Sequence, residues 1–414
     1  MDMNDLYSKG VNYYLLYVFP IIILIFTFSL IYGWVPRLKN TVLLLFALLA
    51  GAITCIKYYR KPMMIAFLAY LIVLYANRVS GDYWITGNKA VFDEIFKLVL
   101  TGLMGYALLT SKDDRFLKIT VVSFLLMLVV NAVGTSFVET IVPGSIRTLE
   151  EMRHDGDESS MFYYFRFGMA NYALPSALVT IVPMLVLGVK MNAINKKKRL
   201  LLLAGLVSSL MLIYYSGSTT ALILGALGFL IAIFVKQGTG KGPLISLAVF
   251  GLVFALFLSN DKLVLSFLNV FDGWIGHEGF FHKKVMDFET LIVSGETTGS
   301  IEGREGLYMR TWNAIVESPL IGTNSRIGGH SLLLDHWGYL GLVGFIPFLV
   351  FVITQIKMFL KMIPSSTKLI YTVCIYITFI MMMIKNMNGW ETWLCLFTIL
   401  PLLANYCEGE KSFK

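Results

Sequence analysis

Charged residues and cysteines are scarce in this chain of 414 residues. Charged side chains make up 14% of it and hydrophobic ones 57%, with a mean hydropathy of +0.72. A soluble protein cannot bury so much apolar surface, so the composition excludes a water-soluble enzyme and predicts a polytopic membrane protein. The four cysteines include no C-x-x-C pair and fall in predicted helices or at their cytoplasmic ends, which excludes a disulfide in the outer loops.

Long apolar runs recur along the chain, and about 20 such residues are enough to cross a bilayer as a helix. Runs of this length favour helices over barrel strands, which would alternate over about ten residues. The first run is too long for a signal peptide and lacks a small-residue cleavage site, so it is predicted to be a retained helix. The sequence therefore predicts one all-α polytopic membrane domain, 1–414, of about 12 transmembrane helices. The candidate runs are 12–33, 41–56, 62–77, 92–110, 117–135, 171–191, 200–216, 218–236, 243–260, 338–357, 368–385 and 391–406.

The distribution of Lys and Arg predicts the orientation in the membrane. With the N-terminus in the cytoplasm, nineteen of the 34 fall in inner segments and five in short outer loops. Two long loops, 136–170 and 261–337, then lie outside and hold nine more, but long loops cross the membrane largely regardless of charge. Both termini are predicted to be cytoplasmic, and the net charge of +8 is an orientation signal rather than a nucleic-acid footprint.

The second long loop has a helix pattern of its own. Leu307, Trp312 and Ile315 recur on one side, and the pattern stops at Pro319. We expect an amphipathic helix that lies near the lipid surface, with Arg304 just ahead of it. This helix would carry cations along the outer face of the membrane.

Cations and histidines concentrate in the two predicted outer loops. All five histidines lie there or at the helix junctions, and His330 follows Arg304, Arg310 and Arg326 where the sequence turns apolar again. Guanidinium groups suit phosphate oxygens, and imidazole can act as a base near neutral pH. Expulsion of histidine from lipid would explain the set equally well, although it is a weaker explanation for His330. Arg166, at the predicted start of the sixth helix, suits either a phosphate or an interfacial anchor.

Three other polar motifs are open to different interpretations. His277 and His282 are five residues apart, which is not the spacing of H-E-x-x-H, so a zinc site is not predicted. The stretch 236–241 lacks the first glycine and the final Ser or Thr of a phosphate-binding loop and is predicted to be a basic turn. Glu94 and Lys97 could pair at i,i+3 in an ion pathway, although snorkelling at the outer interface is the commoner explanation.

Four short motifs follow one another within 303–344. They are Gly303-Arg304, Pro319-Leu320-Ile321-Gly322, His330-Ser331 and Gly341-Leu342-Val343-Gly344. Their order and intervals resemble the signature region of the O-antigen ligase and polysaccharide polymerase (Wzy-type) superfamily, and the stretch from Arg166 to Asn171 is similar to the family's entry to a middle helix. Thr219 stands where many members have arginine. Any role of that arginine in holding diphosphate would pass to Arg166, Arg147 or Arg310, or be absent.

The resemblance implies a GT-C-like fold and a metal-independent glycosyltransferase in the bacterial cytoplasmic (inner) membrane. Its substrates would be two undecaprenyl-diphosphate-linked oligosaccharides, a donor and an acceptor, for capsule, exopolysaccharide or O-antigen synthesis. A chain-length regulator and a flippase would be further partners, and no cofactor is expected. The implied catalytic residues are His330 and Arg304, and the implied substrate-binding residues are Arg166, Arg310, Arg147 and Asp335. Ligation of a finished glycan to another acceptor and transport of lipid-linked sugars are the alternatives.

Overall fold

The computed structural model describes residues 61–80, 87–110, 114–154, 163, 167–191, 195–235, 245–246, 248–253, 259–275, 280–294, 300–323, 327 and 329–408. The regular elements in these ranges are helices, which confirms the all-helical fold class for this part of the chain. Two π-helical stretches, Ile95–Leu100 and Cys395–Ile399, interrupt otherwise α-helical runs. The α-helices are α1 (Lys61–Ser80), α2 (Gly87–Glu94), α3 (Thr101–Thr110), α4 (Asp114–Ile141), α5 (Ser145–His154), α6 (Ala173–Leu178), α7 (Val182–Lys190), α8 (Lys196–Tyr215), α9 (Thr219–Phe234), α10 (Asp261–Ile275), α11 (Phe280–Ser294), α12 (Ser300–Glu317), α13 (Leu332–Met362), α14 (Lys368–Ile384), α15 (Trp390–Leu394) and α16 (Leu400–Glu408).

Four helices within the described ranges are long and apolar enough to cross a membrane. They are Pro62–Val79, Arg115–Ile141, Lys196–Tyr215 and Leu332–Met362, and three shorter apolar helices accompany them. These helices support an α-helical membrane protein. The predicted total of about 12 spans stays a prediction, since the runs 12–33 and 41–56 lie outside the described residues. The described parts of the two predicted outer loops contain α5 and α10 to α12.

The helix α7 lies at the centre of the bundle. Its residues from Val182 to Gly188 are buried, and it packs against α8, α9, α14 and α16. The helices α1 and α12 pack instead against α13, and α15 packs against α6. Segments that are far apart in the sequence are therefore neighbours in the bundle.

The longest described helix, α13, is broken at Gly341. This glycine has a φ of 61°, a left-handed conformation that side chains disfavour, and an added Cβ would overlap the carbonyl oxygen of Leu320. The first two amides after the break donate to the carbonyls of Pro319 and Leu320, at 2.9 and 3.1 Å. Before the break, Nδ2 of Asn77 donates to the carbonyl of Tyr339 at 2.6 Å. The Pro-Leu-Ile-Gly and Gly-x-x-Gly motifs are thus in direct contact.

The predicted outer helix is present as α12 and ends at Glu317, just before the predicted proline stop. Two details of the prediction are wrong. Arg304 lies inside the helix rather than ahead of it, because the helix begins at Ser300. Trp312 is 53% exposed whereas Ile315 is 3% exposed. The apolar pattern therefore covers two adjacent faces of the helix, one that is buried and one that is exposed.

Candidate functional site

The C-terminal end of α14 is the place where three parts of the chain meet. The hydroxyl of Tyr308, on α12, donates to the carbonyl of Ile384. The amide of Leu332, the first residue of α13, donates to the carbonyl of Lys385 at 3.2 Å. The 385–391 segment, which connects α14 to α15 and enters its first turn, therefore begins beside α12 and the start of α13.

His330 lies in a turn of three residues, Gly329 to Ser331, immediately before α13. The carboxylate of Asp335 accepts hydrogen bonds from the backbone amides of Gly329 and Ser331, both at 3.0 Å. It also accepts a hydrogen bond from the hydroxyl of Thr311 on α12, at 2.9 Å. One carboxylate thus fixes the backbone on both sides of His330 and ties α12 to α13. We call the three residues from Gly329 to Ser331 the His330 turn.

Asp335 is buried in the structure, with 6% of its surface exposed. Its implied role as a substrate-binding residue stays a prediction. Its donors include the backbone amides of the His330 turn and the hydroxyl of Thr311, which are groups of the protein itself. The geometry therefore supports Asp335 as a positioning residue for His330, which is half-buried and lies two residues before the start of α13.

Lys385 brings an ammonium group into a cluster of hydroxyls. Its Nζ donates to Oγ of Ser176 at 2.6 Å and to Oγ of Ser218 at 3.2 Å. The same Nζ lies 4.3 Å from the ring centroid of Tyr172, within the range of a cation–π interaction. Both serines are buried and Lys385 is half-buried. These three contacts of the ammonium are with neutral groups.

Asn171 and Glu391 form a second contact between the middle of the chain and the 385–391 segment. Nδ2 of Asn171 donates to Oε1 of Glu391 at 2.6 Å, and Oδ1 of Asn171 accepts the amide of Leu174 at 2.9 Å. Glu391 is 8% exposed and lies in the first turn of α15. The Asn171 side chain therefore orients both the start of α6 and the buried acid. We call the following set the polar centre: Asn171, Ser176, Ser218, Lys385 and Glu391.

Another buried acid, Glu94, anchors a cluster between α1, α2 and α13. It is 5% exposed, accepts the hydroxyl of Tyr70 at 3.0 Å and accepts Nδ2 of Asn388 at 3.4 Å. Its Oε1 lies 3.9 Å from Nζ of Lys97, so the i,i+3 contact that the sequence allows is present. The snorkelling interpretation is wrong for Glu94, because its carboxylate turns into the bundle. The Tyr70 hydroxyl also lies 3.4 Å from Nε2 of His336, which is wholly buried.

The arginines predicted to bind substrate are placed differently from one another. Arg310 is exposed on α12, and its Nε donates to a carbonyl one turn earlier in the same helix at 3.3 Å. Arg147 is exposed on α5. The position of Arg304 is one helical turn before the tyrosine that contacts the end of α14. Arg166 and Arg326 lie outside the described residues. The polar centre as described thus adjoins the His330 turn and α12, and neither Arg147 nor Arg310 is part of it.

The sequence prediction missed the 385–391 segment. Its sequence, Lys-Asn-Met-Asn-Gly-Trp-Glu, places four polar side chains in a short connection between two apolar helices. This concentration of polar side chains is the feature of the sequence that could have indicated a functional segment. Two partners of Lys385, Ser176 and Ser218, are 209 and 167 residues away along the chain. The periodicity of a sequence does not predict contacts between residues so far apart.

Of the two histidines in the zinc-like stretch, His277 and His282, the structure describes only His282. Nδ1 of His282 lies 2.8 Å from Oδ1 of Asp272, and His277 lies outside the described residues. Within the ranges that the structure describes, no group of three or more His, Cys, Asp and Glu side chains could hold a metal ion.

The chain matches no protein-family model, no curated protein and no solved structure.

Proposed function

We propose that this protein is a polysaccharide polymerase of the bacterial cytoplasmic membrane, with both termini in the cytoplasm. It transfers an undecaprenyl-diphosphate-linked glycan onto the acceptor sugar of another lipid-linked repeat unit at the outer face. The observation that carries the proposal is the His330 turn, which Asp335 fixes against α12 and which the amide of Leu332 joins to Lys385. A histidine, an arginine-bearing helix and a lysine thus come to one end of the bundle from three parts of the chain.

The reaction requires a base and a stabiliser of negative charge. The acceptor hydroxyl attacks the anomeric carbon of the donor, a new glycosidic C–O bond forms, and the bond from that carbon to the diphosphate breaks. His330 accepts the proton of the hydroxyl, because imidazole is a competent base near neutral pH. Charge grows on the departing undecaprenyl diphosphate, and arginine donors stabilise it in a site with little water. Arg304 is the first candidate for this role, with Arg166 and Arg310 in support.

Rigidity of the site supports catalysis over a passive anchor. Catalytic groups act best when packing and hydrogen bonds already hold them in place. The Asp335 carboxylate holds the His330 turn, and its bond from Thr311 holds the helix that carries Arg304 and Arg310. The base and the cations are therefore attached to one another through a buried carboxylate.

A transporter of lipid-linked sugars is less well supported. Transporters place their substrate sites at broken helices, where unwound backbone groups are left to bind cargo. The break at Gly341 is instead closed by the protein itself, since the carbonyls of Pro319 and Leu320 and the amide of Asn77 satisfy backbone groups on both sides of it. A ligase that transfers finished glycan would use the same residues as a polymerase, and only the product distinguishes the two.

The proposal is tested by alanine substitution in the native host, followed by gel analysis of the glycan. We expect His330→Ala and Arg304→Ala to abolish the ladder of long chains and to leave single repeat units on the lipid carrier. His282→Ala and Arg199→Ala serve as matched controls, because His282 pairs with Asp272 and Nη2 of Arg199 donates to a backbone carbonyl elsewhere in the bundle.

Three outcomes of this experiment are distinct. Loss of the ladder in the two site variants, with membrane levels equal to wild type and with normal ladders in the controls, supports polymerisation. Long polymer that stays on the lipid carrier identifies a ligase. Normal ladders in both site variants refute the assignment of His330 and Arg304.

A further inference from the structure

The polar centre contains three hydrogen-bond donors that meet at one point. The Lys385 ammonium lies 2.6 Å from the hydroxyl of Ser176 and 3.2 Å from the hydroxyl of Ser218. Each hydroxyl oxygen accepts a hydrogen bond from the lysine, so the proton of each hydroxyl points away from the lysine. A lysine and two hydroxyls form a donor set that suits the oxygens of a phosphate group.

Lys190, an exposed lysine at the end of α7, shows what a purely structural ammonium looks like in the same protein. Nζ of Lys190 donates to the backbone carbonyls of Ala232 and Ile233, at 2.8 and 2.5 Å. Those carbonyls belong to the last turn of α9, and a cation there satisfies acceptors that the helix leaves open. The ammonium of Lys385 instead contacts side-chain hydroxyls, which can rotate and donate to an incoming anion.

The location of Lys385 relates it to the proposed catalytic groups. Its carbonyl accepts the amide of Leu332, two residues after His330, and the preceding carbonyl accepts the hydroxyl of Tyr308 on α12. Lys385 therefore lies between the His330 turn, the arginine-bearing helix and the buried serines. The lysine that would bind the anion is thus joined through its backbone to the residue that follows the His330 turn.

The start of α9 adds to the positive potential at this point. Ser218 is the N-cap of this 16-residue helix, and its side chain makes no capping bond. The amides of the first turn and the helix dipole both favour a negative charge near Ser218. The next residue, Thr219, occupies the position for which the family resemblance predicts arginine, and the structure places the ammonium of Lys385 against its neighbour.

We propose that Lys385, with Ser176 and Ser218, binds the diphosphate of the lipid-linked donor and supplies the cation that position 219 lacks. The inference rests on the proposed function, since it assigns a ligand to the same site. The lysine stabilises the diphosphate as it departs. Lys385 is thus a substrate-binding residue contributed by the end of α14, outside both long loops.

The test measures ligand binding to the full-length protein in detergent, with farnesyl diphosphate as a soluble stand-in for the lipid carrier. Farnesyl monophosphate and inorganic pyrophosphate are the comparison ligands, because they separate a lipid-linked diphosphate from a simpler lipid phosphate and from a free anion. The variants are Lys385→Gln, which removes the charge, and Lys385→Arg, which keeps it. Lys190→Gln is the matched control at a structural lysine.

We expect Lys385→Gln to bind farnesyl diphosphate about 10- to 100-fold more weakly than wild type, because one charged hydrogen-bonding partner is lost. Lys385→Arg should stay within about threefold of wild type, and Lys190→Gln should bind normally. The thermal midpoint without ligand verifies that each variant is folded. Should Lys385→Gln lose its fold, Ser218→Ala provides the second variant, with weaker binding expected.

The outcomes separate this inference from the proposed function. Wild type that binds none of the three ligands argues against the polymerase itself. Wild type that binds farnesyl diphosphate, together with a folded Lys385→Gln variant of equal affinity, overturns the role of Lys385 alone. Equal binding of inorganic pyrophosphate and farnesyl diphosphate would identify a general anion site and would refute recognition of a lipid-linked ligand.

Discussion

Two substitutions at Asp335 separate a positioning role from direct contact with substrate. The carboxylate accepts two backbone amides on either side of His330 and one hydroxyl from Thr311. An asparagine can keep all three contacts, with its oxygen toward the amides and its nitrogen toward the threonine oxygen, which can accept. Alanine keeps none of them. The two variants therefore differ in the hydrogen bonds of the turn while both lack the negative charge.

The expected magnitudes follow from these contacts. Asp335→Asn loses only the charge assistance, and we expect a cost of about 1 kcal/mol in the free energy of unfolding. Asp335→Ala strands two amides without their acceptor and frees the threonine hydroxyl, so its cost should be roughly 2–5 kcal/mol. Thermal unfolding of the purified protein in detergent measures both. The control is Glu317→Ala, an exposed carboxylate on α12, for which a change within about 0.5 kcal/mol is expected.

The polymer assay then distinguishes the two roles. If Asp335 positions His330, Asp335→Asn should retain most of the chain-length ladder and Asp335→Ala should lose it. If Asp335 acted on the substrate through its charge, both variants would lose the ladder equally, although the asparagine variant remained folded. That second pattern would refute the positioning role, as would an alanine variant with wild-type stability.

Two further predictions concern the packing around this site. Gly341→Ala should lower the free energy of unfolding by about 2–4 kcal/mol, because alanine is strained in the left-handed conformation and its Cβ overlaps Leu320. Gly306→Ala, in open space on α12, is the control and should raise the free energy of unfolding slightly. Equal thermal midpoints for the two variants would contradict the break at Gly341. Tyr70→Phe removes a donor from buried Glu94 and should cost about 1–3 kcal/mol while the polymer ladder persists. A stable Tyr70→Phe protein without polymer would show instead that this cluster takes part in the reaction.

Helices were predictable where hydropathy alone decides them. The apolar runs 200–216 and 368–385 correspond to helices at Lys196–Tyr215 and Lys368–Ile384. The run 171–191 divides into α6 and α7 instead, because Pro183 at the start of α7 restrains the preceding residues. A hydropathy window does not detect such a division, since the residues on both sides of it are apolar.

The start of α13 was placed too late for a different reason. The helix begins at Leu332, six residues before the predicted position, and it includes two polar residues, Asp335 and His336. Hydropathy counts both against a membrane helix. In the structure the Asp335 carboxylate is bonded to the His330 turn, and Nδ1 of His336 donates to the carbonyl of Leu332 at 2.8 Å. Partners that satisfy a polar group cannot be inferred from its own residue type.

The candidate site was predictable only in its local part. His330 and the helix of Arg304 belong to one stretch of sequence with an unusual composition, and both could be found there. The polar centre depends on contacts across the bundle, such as Asn171 with Glu391 and Lys385 with Ser218. These residues carry no shared motif, because they come from three separate parts of the chain, namely 171–176, Ser218 and the 385–391 segment. Their convergence follows from the packing of apolar surfaces elsewhere.

The contact between the two glycine-containing motifs explains why they occur together in one segment. The turn after α12 enters the break in α13 and bonds to it through Pro319 and Leu320, while Thr311 bonds to Asp335 about two turns earlier in α12. The helix that carries Arg304 is therefore attached to the helix that follows His330 at two points. Two attachments fix an orientation, whereas one would allow rotation. Loss of either attachment should thus loosen the arginines relative to the histidine, even though no catalytic side chain has changed.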